Sequence, residues 1–93
     1  PPLVRINDLD IDIVPDPAGF LLVCENEDRP GMIGQIGTLL GAQDINISAM
    51  RVGRSSPRGR ALMVLMLDDE PDAAGLDAIA AAEGIASARL VRL

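Results

Sequence analysis

A chain of 93 residues that is 48% hydrophobic and 24% charged has the composition of one small globular domain, not of a disordered tail, and its core is too modest to support a second module. Its formal net charge of −6 and pI near 4.3 repel a phosphate backbone and an anionic membrane surface, so neither nucleic acid nor a membrane is an expected partner. The single cysteine, Cys24, set in an apolar run, excludes an internal disulfide, leaves a zinc cluster unsupported and points to a reducing cytoplasm.

The longest uninterrupted apolar run, residues 61–67, is far too short to cross a bilayer, and no charged-then-apolar leader opens the chain. A start at Pro1-Pro2 without methionine is expected of a piece excised from something longer. Residues 3–6, then Leu9, Ile11 and Ile13 alternating with Asp8, Asp10 and Asp12, have a period of two and predict a hairpin turning near Asn7-Asp8. The same aspartates mimic the opening of a calcium loop, but its sixth position is Ile13 instead of glycine and its twelfth is Gly19 instead of glutamate. A solvated acidic strand face explains them better. Pro15 and Pro17 end this segment, so residues 1–15 are expected to form a hairpin connection and residues 16–93 the main domain.

Residues 19–25, apolar through Cys24, read as a strand covered on both faces. Asn26-Glu27-Asp28-Arg29-Pro30-Gly31 follows as a polar loop, and Met32, Ile33, Ile36, Leu39 and Leu40 then recur at helical spacing over residues 31–43. Gly34, Gly37 and Gly41 make a second stripe on that helix, which suggests close packing against another helix or clearance for a ligand or partner. Residues 45–54 and 61–67 read as two strands of a hairpin joined by the exposed stretch Ser55-Ser56-Pro57-Arg58-Gly59. Pro71 sits where a helix favours its first residue, Asp69 and Glu70 suit its positive end, and Leu76, Ile79 and Ala80 mark a buried stripe ending at Gly84. The acidic group Asp68, Asp69, Glu70 and Asp72 is accounted for by capping and solvation of that start, not by a metal. Residues 86–93 close the chain as a last strand.

Two helices alternating with four strands, joined by right-handed crossovers, give one antiparallel sheet with both helices on the same face: a ferredoxin-like βαββαβ α+β sandwich, here preceded by an N-terminal β-hairpin. Because the first and third core strands are apolar on both faces, the side without helices, or the sheet edge, is expected to take a partner or the hairpin as a lid.

This architecture hosts unrelated functions, so residues must decide among them. The third core strand lacks the aromatics an RNA-recognition module stacks on bases, and Cys24 lacks the second cysteine of a copper carrier. An acylphosphatase-like enzyme would use an arginine in the first loop and an asparagine on the second strand, places held by Arg29 and Asn46. Its longer glycine-rich loop is missing, however, and Pro30 restricts the backbone of Arg29. With no histidine and no lysine, the usual agents of general-base and Schiff-base catalysis are absent, and no catalytic residue is assigned. The first loop instead suits a free amino acid. The N–H groups at the helix start favour a carboxylate, and Glu27 or Asp28 alongside can hold an ammonium group.

Asn26-Glu27-Asp28-Arg29-Pro30-Gly31-Met32-Ile33-Gly34, Asp44-Ile45-Asn46-Ile47-Ser48, and Arg60-Ala61-Leu62-Met63-Val64 with Asp68 after it resemble an ACT domain from about residue 19 to the end. Within that family, Val52-Gly53-Arg54 and Ala88-Arg89-Leu90-Val91-Arg92-Leu93 are most similar to the C-terminal regulatory domains of the D-3-phosphoglycerate dehydrogenases, NAD-dependent enzymes that open serine synthesis. The resemblance implies a homodimer whose sheets join side by side and an allosteric site at the junction for L-serine or another small amino acid. It further implies that NAD belongs to a parent's catalytic domain and that this stretch itself carries no cofactor or metal.

Carried over by position, Asn26 and Asp28 match ligand contacts of one chain and Asn46 the contact from its neighbour. The N–H groups of Met32 and Ile33 would hold the carboxylate, Gly31 would allow close approach, and Arg29 and Pro30 would shape the turn. Several serine-responsive relatives carry histidine where this chain has Asn26, and others an aromatic residue, which leaves the choice among small amino acids open. The regulatory part of a serine dehydratase β subunit, or a module that only dimerises, fits the same residues.

Overall fold

The computed structural model describes residues 4–6, 9–54 and 59–93. Leu3, the turn expected at Asn7-Asp8 and the connection 55–58 lie outside them. The elements run β1 Val4–Ile6, β2 Leu9–Ile11, β3 Phe20–Glu27, α1 Met32–Ala42, β4 Ile47–Arg54, β5 Arg60–Leu67, α2 Ala73–Ala80 and β6 Ile85–Arg92. Strands β4-β5-β3-β6 form one antiparallel sheet in that order, which is the ferredoxin-like sandwich, and β1-β2 form a separate two-stranded hairpin. The central strands β3 and β5 have neighbours on both sides, whereas β4 and β6 are the edges.

Both faces of the two central strands are occupied, which is why residues 20–24 and 61–67 are apolar at every position instead of at alternate ones. Toward the helices, Leu22, Cys24, Met63, Leu65 and Leu67 pack with Met32, Ile36 and Leu40 of α1, Ile79 of α2 and Ile45. On the opposite face, Leu21, Val23, Leu62, Val64 and Met66 lie under Ile11, the last residue of β2, and Ile13 just after it. The hairpin segment is thus the lid that the doubly apolar strands required. Burying Ile11 and Ile13 stabilises that cover by about 1.5–3 kcal/mol each.

The element boundaries depart from the sequence expectation in ways that matter for function. Strand β3 runs on to Glu27, because its main chain keeps pairing with β5 through Asn26↔Ala61 and Glu27↔Arg60 whatever the side chains are. Asn26 is therefore inside a strand and buried, not in the loop, which shrinks to residues 28–31. Strand β4 starts at Ile47, not at residue 45. Asp44 turns the chain with φ at 58°, and the N–H of Ile45 bonds back to the Leu40 carbonyl, which holds Ile45 against the end of α1.

Helix α2 is capped by Asp72, whose Oδ1 accepts from Gly75 N at 2.7 Å, so Pro71 precedes the cap instead of opening the helix. Ile79 is buried there as expected, Leu76 is half-buried and Ala80 is exposed. The glycine stripe of α1 meets no helix: a Cβ at Gly34, Gly37 or Gly41 would have nothing within 4 Å. Among the described residues no helix is long and apolar enough to cross a membrane.

Candidate functional site

The end of β3, the loop 28–31 and the start of α1 converge at one end of the sheet. Asn26 shares the helix-side face of β3 with Leu22 and Cys24, since residues two apart point the same way, and it is only 3% exposed. Opposite it the β3/β6 register slips, Glu25 pairing with Ser87 but Asn26 with Ile85, so an extra residue bulges the edge strand beside this side chain. Asn26 Nδ2 donates to the Glu27 carbonyl at 2.8 Å, and its Oδ1 is buried with no partner. A buried acceptor left without a donor costs about 1–3 kcal/mol, which a donor brought by a ligand would recover.

Helix α1 begins there with an unusual cap. Gly31 takes φ 90°, a left-handed conformation that disfavours a side chain, and no side chain caps the helix. The first intrahelical bond runs from Gln35 N to the Gly31 carbonyl at 2.9 Å, so the N–H groups of Met32, Ile33 and Gly34 have no acceptor within the helix. With no acidic side chain in its first turn, the positive end of α1 remains available to a bound anion. Met32 itself is buried, whereas Ile33 is 51% exposed. Asp28 is half-buried and its N–H donates to the Gly59 carbonyl at 3.0 Å; Gly31, not Asp28, is the cap residue.

The turn between α2 and β6 closes the same region, a contribution that linear reading missed. Gly84 accepts from Glu27 N at 2.9 Å, and its φ of 87° is again left-handed. A Cβ on Gly84 would lie 2.7 Å from Arg29 Nη2 and 2.8 Å from Met32 Sδ, so the turn and the loop are in direct contact. Arg29 reaches Glu27 at 2.7 Å and Glu83 at 3.8 Å, while Gln35 Nε2 donates to the Glu83 carbonyl at 3.2 Å. Arg29 thus ties the loop to the turn. The only sequence signal for this was Gly84 as a helix terminator.

Asn46 lies elsewhere. Ile47 pairs with Leu67, which pairs with Phe20, so Asn46 sits at the start of β3 while Asn26 is near its end. Six residues of strand separate the two levels, about 20 Å. Asn46 is exposed, its Nδ2 donating to Asp68 Oδ2 at 2.7 Å and its carbonyl accepting from Asp68 N at 3.0 Å. One chain therefore unites Asn26, Asp28, Gly31, Met32 and Ile33 but not Asn46. The same separation parts Arg29 from Asn46, the pair an acylphosphatase-like site would need together.

Cys24 is fully buried, and desolvation pushes its thiol up to about 11, so it is neutral and unsuited to act as a nucleophile. No group of three or more metal-ligating side chains occurs among the described residues.

Curated relatives match the chain in sequence. A D-3-phosphoglycerate dehydrogenase of Archaeoglobus fulgidus is 39% identical over 93 residues, spanning 98% of this chain and 17% of that protein. The enzyme of the same description from Synechocystis sp. is 42% identical over 91 residues, spanning 97% of this chain and 16% of its own. The chain thus corresponds to under a fifth of the length of these relatives. Among solved structures, the ACT domain from the GTP pyrophosphokinase of Chlorobium tepidum superposes with a TM-score of 0.62 at 18% identity, covering 78% of this chain and 96% of that one, a likeness of fold. The family model for the ACT domain matches residues 20–84, from the first residue of β3 through the Gly84 turn that braces the loop; the chain belongs to the ACT domain family.

Proposed function

We propose that the chain is the amino-acid-sensing regulatory domain of a D-3-phosphoglycerate dehydrogenase, binding L-serine between two copies and adjusting a catalytic domain outside these residues, where NAD would be used. The observation that carries this reading is the buried, unpartnered Oδ1 of Asn26 beside an uncapped helix start. The helix N–H groups suit a carboxylate, and Asn26 Oδ1 with the neighbouring Asp28 suits an ammonium or hydroxyl group.

A second copy supplies what one chain lacks. Among the described residues nothing pairs with the outer edge of β4, and antiparallel pairing of two β4 edges about a two-fold axis would bring the start of one β4 to the level where the other ends, carrying Asn46 toward the partner's loop. Apolar exposure on that edge supports the pairing. Val52 is 44% exposed on the helix side, its register partner Met63 facing the helices. Ile33 and Gly37 lie on the flank of α1 away from Gln35 and Leu39, which face α2. A ligand held across the junction favours one placement of the pair, a coupling typically worth about 1–3 kcal/mol and reciprocal.

Calorimetric titration of L-serine into the 93-residue chain tests the reading, with Asn46→Ala and Asp28→Ala alongside. Saturable heat in the unmodified chain and its loss in both variants are expected; unchanged heats in both refute the site. The serine dehydratase reading predicts the same binding and differs only in the catalytic chain attached.

A further inference from the structure

Each asparagine of the proposed site uses one amide N–H within its own chain. Asn46 Nδ2 donates to Asp68 Oδ2 at 2.7 Å, and Asn26 Nδ2 donates to the Glu27 carbonyl at 2.8 Å. Each acceptor here is an oxygen that cannot donate, so the orientation of each amide follows from chemistry: the nitrogen is turned to its acceptor through one N–H, and Oδ1 is turned away from it. For Asn46 this polarity is imposed by one exposed side chain, Asp68, which follows β5 and is held beside it by the main-chain bond from Asp68 N to the Asn46 carbonyl at 3.0 Å.

We infer that Asp68 is a positioning residue for ligand selection: by taking one N–H of Asn46 it turns that amide's nitrogen toward itself and Oδ1 away, as the Glu27 carbonyl does for Asn26, so that each asparagine presents its oxygen. The site then discriminates in favour of a small amino acid that brings a hydroxyl donor in addition to its ammonium group. This rests on the amino-acid reading above and deepens it. The donors come from the start of α1, which meets the carboxylate, so the polar duties are divided: helix to carboxylate, asparagine oxygens to ammonium and hydroxyl. A ligand with a methyl group in place of the hydroxymethyl leaves one acceptor facing carbon. Without Asp68 the Asn46 amide is free to turn and present either end, and the discrimination relaxes.

The test is calorimetry of L-serine and of L-alanine against the unmodified chain, Asp68→Asn and Asp68→Ala. The isosteric Asp68→Asn keeps the shape of the turn while its own amide can donate to Asn46 Oδ1, so it also allows the turned orientation. We expect serine to bind about ten-fold more tightly than alanine in the unmodified chain, and that ratio to fall about five-fold in both variants. An unchanged ratio, even with both affinities weakened, makes Asp68 a structural turn residue and overturns the inference. Asn46 side-chain amide signals in a nitrogen-15 spectrum that do not move on Asp68→Ala overturn it as well, since the hydrogen bond is then absent. If the unmodified chain takes up neither amino acid, the amino-acid reading itself fails and Asp68 loses its role with it, an outcome distinct from an unchanged ratio.

Discussion

Above neutral pH this chain offers an uncommonly clean titration. It has no histidine and no tyrosine, and all eight of its basic side chains are arginines, which stay charged, so Cys24 is the only side chain that ionises between pH 8 and 12. Its thiol, ordinarily at 9.0, is pushed up to about 11 by burial. Between those values the unfolded chain has released a proton that the native chain retains, so stability is fully present below pH 9 and falls as pH rises toward 11. Linkage puts the loss at about 1.4 kcal/mol at pH 10 and about 2.3 kcal/mol at pH 11, a large fraction of the 5–15 kcal/mol typical of a domain.

Urea denaturation at half-unit steps from pH 8 to 11 measures the curve, with Cys24→Ala as the control. The variant starts lower because it leaves a small gap among Leu22, Met63 and Leu65, but its stability should not change across the range. Any contribution of the terminal amine is common to both proteins and cancels. A native chain as stable at pH 11 as at pH 8, or a variant that loses as much as the native chain, would refute the assignment of a buried neutral thiol between sheet and helices.

Gly84→Ala places a Cβ against Arg29 and Met32 at a left-handed φ, and should cost about 2 kcal/mol, read as a fall of roughly 8–16 °C in thermal midpoint. It should also weaken L-serine binding, because the loop is tied to that turn. Ile13→Ala opens the cover over Leu21, Val23 and Val64 and should cost about 2–4 kcal/mol in denaturant titration; a loss below 1 kcal/mol would mean the segment does not hold the second face. Val52→Asp puts a charge on the exposed β4 edge and should yield a folded monomer in sedimentation that no longer takes up serine, whereas full binding by a monomer would separate the ligand site from the pairing.

Much of this fold was legible because burial leaves a periodic trace. Residues 20–24 and 61–67 are apolar at every position, which demands cover on both faces, and the alternation of Ile11 and Ile13 with aspartates supplies that cover. Met32, Ile36 and Leu40 fixed the inward side of α1 for the same reason. What failed was inference from polarity. Asn26 looked like loop because it is polar, yet a strand continues wherever its main chain has a partner. Ala80 looked buried because a small apolar residue suits either environment, and Pro71 looked like a first helical residue because Asp72 behind it is an equally good cap. Bonds such as Asn46 to Asp68, which span 22 positions, leave no periodic signal at all.

The placement of Asn26 and Asn46 at the two ends of the sheet bears on how the proposed sensing would work. A ligand pocket complete within one chain would report only on that chain, and binding would merely add to its stability. Here Asn26 and Asn46 are held at opposite ends of the sheet by strands whose register is pinned on both faces by buried side chains, so no rearrangement short of unfolding brings them together. If both contribute to one bound amino acid, as proposed, they do so from different copies, and ligand binding and pairing become a single equilibrium. Asn26 Oδ1 then remains unsatisfied in the lone chain, and part of its cost of about 1–3 kcal/mol is recovered only when ligand and partner arrive together. That recovery is energy of the right size to bias how two copies are placed.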